Sequence, residues 1–341
     1  MIVRARAPLR ISFSGGGTDI ITFFSKYGGV ALSTTIDKFV YCTVSESPKY
    51  ILRSIDLDQI ESHENLESIR YNGALDLSKA VVNLLAQKEK TKFELVTYSE
   101  APIGSGLGSS SSLMVCVTKA MSEFFSNNLT HDEIAEFVYK LEREELKMHG
   151  GYQDQYASSF GGFNFIEFTK DGILVNPLRI KPEIIQELTA SLVLVYTGNG
   201  RLSSKILARQ IQKSQEEDPQ TLEALEKIKK ITLQMKHSLL KGDLRNFAEL
   251  LAEEWENKKK LDSAISNDFL DAIYAAGIRN GALGGKVLGA GAGGHMLFYV
   301  ELEKKHRLIN QIEGAGLRVV PFNFELEGVV SWRIEKNRVL A

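Results

Sequence analysis

Apolar residues recur along this chain at two periods, and the switches between them mark its elements. Residues 3–14 read as a strand, and residues 30–44, rich in β-branched and aromatic side chains, read as another. Residues 75–86 repeat at helical spacing. A short strand at 93–98 runs straight into Ala101-Pro102 and a glycine loop, and an apolar helix follows at 112–125. Thr130-His131-Asp132-Glu133 has the form of a capping box. The helix it opens carries an apolar stripe of Ile134, Phe137, Val138 and Leu141. Asp171-Gly172 between runs 164–168 and 173–178 signals a hairpin.

The second half opens on a strand near 191–196. Helical patterns follow at 222–240, 244–260 and 268–276, then a strand at 295–300, a helix at 304–312 and strands at 317–324 and 329–335. The polar run 213–218 reads as a surface loop or a helix end. Strands and helices do not alternate in βαβ order and no internal repeat is present, so the expected class is α+β. The expected division is an N-terminal domain at 1–185 and a C-terminal domain at 186–341.

Composition narrows the function more than the fold. The chain has 341 residues, 43% of them hydrophobic and 25% charged, as in a soluble globular protein. A net charge of −2 supplies no field for nucleic acid or an anionic membrane, so neither is expected as a partner. A phosphorylated substrate would need local basic residues. Cys42 and Cys116 lie in apolar runs and read as buried thiols, and the six histidines have no metal-ligand spacing. The start is strand-like rather than a signal peptide, and no apolar run reaches membrane-spanning length. A cytoplasmic protein is expected.

Three glycine-rich segments carry the candidate chemistry. The most informative is Gly104-Ser105-Gly106-Leu107-Gly108-Ser109-Ser110-Ser111-Ser112, between a strand and a helix. Glycines let backbone N–H groups converge on an anion, the helix start adds free amides and a positive dipole end, and the serines add hydroxyls. This suits a nucleotide triphosphate, although no Gly-Lys-Ser/Thr ending makes it a Walker A loop. Gly289, Gly291 and Gly294 form a G-x-G-x-x-G, but a strand rather than a helix follows, which excludes a dinucleotide fingerprint. Close approach of that backbone to a ligand or to the second segment fits better. In Ser14-Gly15-Gly16-Gly17-Thr18-Asp19 the glycines admit a ligand, and the Asp19 carboxylate can accept hydrogen bonds from sugar hydroxyls.

In this order the three segments resemble the GHMP kinase family. The first resembles its opening motif through Ala7-Pro8-Leu9-Arg10-Ile11-Ser12-Phe13-Ser14-Gly15-Gly16-Gly17-Thr18-Asp19. The second matches P-x3-G-L-G-S-S in full from Pro102 to Ser110, and the third resembles the closing motif from Lys286 to Gly294. The triple glycine, together with Gly150-Gly151-Tyr152-Gln153-Asp154-Gln155-Tyr156-Ala157, is similar to a bacterial branch acting on a sugar phosphate. It departs from the charged Gly-Glu-His-Thr-Asp of galactokinase.

The resemblance implies an N-terminal half like the second domain of ribosomal protein S5, a ferredoxin-like C-terminal half and a site between them. It implies ATP and Mg2+ as cofactors, and transfer of phosphate to the anomeric hydroxyl of a sugar phosphate. Asp154 is implied as the active-site aspartate with Arg10 beside it. Pro102, Gly104, Ser105, Gly106, Leu107, Gly108, Ser109, Ser110 and Ser111 are implied at the nucleotide, and Ser110 and Glu142 at the metal. Gly16, Gly17, Asp19 and Gly291 are expected at the substrate, with Arg201, Lys205 and Lys286 as candidate anchors for its phosphate. The competing readings are another sugar 1-kinase of the family, for fucose or galactose, and a non-catalytic sensor of sugar and ATP.

Overall fold

Alternation along the first strand, Ile2–Ser14, sets the main core. Val3, Ala5, Ala7, Leu9, Ile11 and Phe13 all point one way and are completely buried. The next strand, Gly29–Glu46, pairs with it antiparallel, from Ile2 opposite Ser45 to Ser14 opposite Leu32. The register slips between Pro8 and Leu9, where proline has no N–H for the ladder. The Pro8 carbonyl instead accepts the hydroxyls of Ser112 and Ser158, tying the strand to two helices that border the site. The computed structural model describes residues 1–198, 203–335 and 338–340.

Ile2–Ser14 and Gly29–Glu46 are the centre of a ten-stranded sheet. Its main path continues through Phe93–Ser99, Tyr50–Ser54 and Gln59–His63 on one side and through Val330–Glu335 and Arg338–Leu340 on the other. The hairpin Asn164–Thr169 and Gly172–Pro177 forms as expected and joins the far end of Gly29–Glu46. A second, four-stranded antiparallel sheet runs Arg318–Val319, Leu192–Gly198, Gly294–Val300, Ala282–Val287. The helices Pro219–Lys241 and Leu244–Lys259 pack against each other and span both sheets. One apolar cluster accordingly contains Phe13 and Leu32 from the first sheet and Phe247, Leu251 and Leu297 from the second part.

The class is α+β, and the strongly periodic elements lie where the pattern put them. The capping box of Thr130 and Glu133 is present, opening the helix His131–Lys140. The helix expected at 112–125 begins three residues earlier, at Ser109, which brings Ser109–Ser111 into its first turn. The strand expected at 317–324 is two short bridges. Arg318–Val319 pairs with the second sheet and Phe324–Glu325 with the first, because the chain passes from one to the other there. The polar helix Ser203–Gln215 and the short helices Ile21–Tyr27, Gln153–Phe160 and Pro182–Ser191 were not read from the pattern. A division at 185/186 cuts the last of these. It also leaves to the second half the strand Val330–Glu335, which hydrogen-bonds to Ile2–Ser14.

Candidate active site

A cleft of about 610 Å³ opens where the first strand, the glycine loop, the helix Gln153–Phe160 and the helix Leu244–Lys259 meet. That size suits a small ligand. At its centre Arg10 and Asp154 form a bidentate pair. Arg10 Nε donates to Asp154 Oδ1 at 2.8 Å and Nη2 donates to Oδ2 at 2.9 Å. Arg10 Nη1 donates to the Gly106 carbonyl at 2.6 Å, and its backbone N–H donates to the Leu107 carbonyl at 3.0 Å. One side chain thus fixes the glycine loop and the carboxylate relative to each other. The arginine is almost wholly buried, whereas Asp154, in the first turn of its helix, keeps 27% of its side chain open to the cleft.

The phosphate-loop wall is built by backbone geometry. Gly106 has φ +80°, and a Cβ there would lie 2.6 Å from the Leu288 carbonyl oxygen. Gly289 has φ +71°, and its Cβ would lie 2.7 Å from Gly106 Cα. Only glycine satisfies both demands, so the third segment braces the second by direct backbone contact. Gly104, Gly106, Gly108, Ser109, Ser110 and Ser111 line the cleft. Pro102, Ser105 and Leu107 do not. Pro102 accepts the Ser109 hydroxyl at 3.0 Å, Leu107 is buried in the core, and the Ser105 carbonyl accepts His295 Nδ1–H at 2.7 Å. These three shape the loop rather than line the cleft.

Glu142 sits on the cleft wall in a π-helical turn, Leu141–Glu145, that ends the preceding helix. It accepts the Ser111 hydroxyl at 2.6 Å, pairs with Arg143 at 3.1 Å and accepts the Gln155 amide. Burial holds its carboxyl above the ordinary range, against the opposing pull of Arg143, Ser111 and Gln155. Ser110, half-buried, lines the same cleft, and its hydroxyl has no partner among the described residues.

Gly16, Gly17 and Asp19 line the opposite wall. Asp19 accepts the Gly17 N–H at 2.9 Å and both the N–H and side-chain amide of Gln153, at 3.3 and 3.1 Å. Burial and then the nearby charge of Asp154 push its carboxyl up. A Cβ on Gly151 would lie 2.0 Å from Asp19 Oδ2, so glycine is required where the two segments cross.

Of the expected phosphate anchors, Lys286 and Lys205 do not line the cleft. Lys286 is buried behind the cleft, 2.8 Å from Glu254 and donating to the Phe13 carbonyl at 3.0 Å. Gly291 also lies outside the lining, and its Cβ would lie 2.8 Å from the Ile265 carbonyl. Lys205 is on the exposed surface, and Arg201 lies outside the described residues. Four cations do line the cleft, Arg10, Arg143, Lys147 and Lys258, and Lys258, buried there, was not read from the sequence. A signal was present. Phe247, Ala248, Leu251, Glu254, Trp255 and Lys258 share one helical face, so two charges fall in an apolar stripe.

A family profile described as "GHMP kinases N terminal domain" matches residues 76–162, and one described as "GHMP kinases C terminal" matches 235–316. The chain is 42% identical over 338 residues to D-glycero-alpha-D-manno-heptose 7-phosphate kinase of Campylobacter jejuni, covering 97% of this chain and 99% of that one. It is similar to the solved structure of a D-glycero-D-manno-heptose 1-phosphate kinase from Bacteroides thetaiotaomicron, with a TM-score of 0.84 and 36% identity over 98% and 100% of the two chains. A solved putative sugar kinase from Campylobacter jejuni is similar at a TM-score of 0.81 and 41% identity over 98% of each chain.

Proposed function

The chain belongs to the GHMP kinase family, and we propose that it transfers the γ-phosphoryl group of ATP to the anomeric hydroxyl of D-glycero-D-manno-heptose 7-phosphate, giving the 1,7-bisphosphate. Use of ATP as a phosphotransferase follows from the family. The choice of sugar is supported by the relative at 42% identity over nearly the whole chain. The single structural observation behind the chemistry is the bidentate Arg10–Asp154 pair, held against the phosphate loop in the cleft.

Phosphoryl transfer needs positioning and charge neutralisation more than covalent chemistry. Asp154 accepts the proton of the attacking hydroxyl or orients that hydroxyl, and Arg10 fixes the plane of its carboxylate. The loop amides and the start of the helix Ser109–Phe124 face the nucleotide phosphates. Asp19 takes hydrogen bonds from sugar hydroxyls.

Mg2+ fits the same wall. No group of three His, Cys, Asp or Glu side chains clusters among the described residues, and Mg2+ needs only one or two protein oxygens besides water and phosphate. The unpartnered Ser110 hydroxyl and the carboxylate of Glu142, oriented by Ser111 and Gln155, would hold it. Bound there, it neutralises charge on the phosphates.

The names of two relatives put the substrate phosphate at opposite ends of the sugar, carbon 7 in one and carbon 1 in the other. An ADP-release assay across heptose 7-phosphate, heptose 1-phosphate, fucose and galactose decides between them. Turnover of the 7-phosphate is expected to dominate. Turnover of only the 1-phosphate or of a free sugar would overturn the assignment.

A further inference from the structure

The cleft holds a buried ammonium, Lys258, that no carboxylate among the described residues pairs with directly. Two lysines lie close together beneath the first glycine segment, and one buried carboxylate, Glu254, serves them. It stands 2.8 Å from Lys286. Lys258, 5% exposed, makes a different contact, donating to the Gly289 carbonyl at 2.5 Å. Glu254 and Asp19 act on it only at longer range, and Lys286 and Arg10 repel it. An uncompensated buried ammonium is costly, and a site that keeps one is prepared for an anion.

The space beside that ammonium is open because residue 16 is glycine. A Cβ on Gly16 would lie 3.7 Å from Lys258 Nζ and 3.6 Å from Gln153 Nε2. Both neighbours are hydrogen-bond donors, and both line the cleft with Gly16 and Gly17. Ser109–Ser111 and the helix start already supply what nucleotide phosphates need, whereas this concavity is bordered by Gly16, Gly17 and Gln153. It adjoins Asp19, on the sugar side.

We propose that Lys258, with Gly16, Gly17 and the Gln153 amide, forms the subsite for the phosphate that the sugar already carries. This rests on the substrate being a sugar phosphate. The charge of Lys258 then makes a phosphorylated sugar preferable to a free one, and the absence of a side chain at residue 16 gives the phosphate its room.

Two variants test this. Lys258→Met removes the cation at nearly constant volume. Gly16→Glu places a carboxylate against it, at a backbone position where the added Cβ meets only ordinary contacts. With ATP saturating, kcat/KM is measured for heptose 7-phosphate and for the unphosphorylated heptose. Both variants are expected to lose roughly 10- to 100-fold on the phosphorylated sugar, the range for a hydrogen bond to a charged group. For Lys258→Met the free sugar should change less than about threefold, and for both variants KM for ATP should hold. A folded variant that keeps the wild-type preference for the phosphorylated sugar overturns the proposal, as does a loss expressed in KM for ATP. If one variant fails to fold, by circular dichroism, the other decides.

Should the wild type turn over no heptose phosphate, the functional assignment fails, and the subsite is still tested by binding. With a nonhydrolysable ATP analogue filling the nucleotide side, inorganic phosphate is expected to raise the melting temperature of the wild type but not of Lys258→Met. An equal rise in both overturns the subsite.

Discussion

Lys286 and Lys258 are both buried and their charges interact, but they belong to differently built regions. Behind the cleft, Lys286 meets a carboxylate and a carbonyl, and its charge is matched by residues of the chain itself. At the cleft wall, Lys258 meets one carbonyl and open space. The same residue type at similar depth is held by a carboxylate in one region and, among the described residues, by a carbonyl alone in the other. The difference lies in whether a partner charge is built in, because burial costs each ammonium a comparable amount. Burial in an enzyme cleft is therefore a poor guide to role until the partners are counted.

The largest effect is expected at Asp154, on neither side of this comparison, where the two walls of the cleft meet. Asp154→Asn should lower kcat by about 10²- to 10⁴-fold while binding of the sugar phosphate changes little. Full turnover in that variant would remove the proposed role of Asp154.

The comparison itself is sharpened by stability. Lys286→Met strands Glu254 without a partner in the core and should cost about 3–5 kcal/mol in urea unfolding. Lys258→Met removes a charge that no carboxylate among the described residues contacts directly, so the apo protein should be as stable as the wild type or more so. Equal losses in the two variants would erase the distinction between the two lysines.

The smallest effect is on pH. Burial, then the Lys286 charge, pulls Lys258 from an ordinary 10.5 down to about 7 in the free protein, with Glu254 and Asp19 opposing and Arg10 reinforcing the shift. Above pH 7 the ammonium becomes a neutral amine, so kcat/KM for the phosphorylated sugar should fall up to about tenfold per pH unit. Lys258→Met should lack that limb. Between about 7 and 10.5 the unfolded chain binds more protons at this residue than the folded one, so its contribution to apo stability rises with pH across that window. A profile with the same limb in wild type and variant would assign the titration to another group.

Much of the phosphate wall was legible beforehand. Gly104 to Ser111 announce a loop, an anion and a helix start through properties of neighbouring residues, and Thr130 to Glu133 announce a helix in the same way. The sugar wall was less legible. Gly16, Gly17 and Asp19 do line the cleft, but Lys286 and Gly291 were expected in a cleft that they only support from behind. The π-turn that carries Glu142 leaves no mark in an otherwise ordinary helical stripe. The strand expected at 317–324 was divided because two separate sheets compete for it.

The sequence by itself determined the order of glycine segments, the α+β class and the kinase family they resemble. These depend on backbone conformation and helix ends, which adjacent residues control. Only the tertiary structure decided which lysine faces the cleft. Glu254 lies four residues before Lys258 on one helix, yet it pairs with Lys286 from the neighbouring strand Ala282–Val287. Electrostatic compensation depends on distance through space, and no local pattern in the chain encodes it.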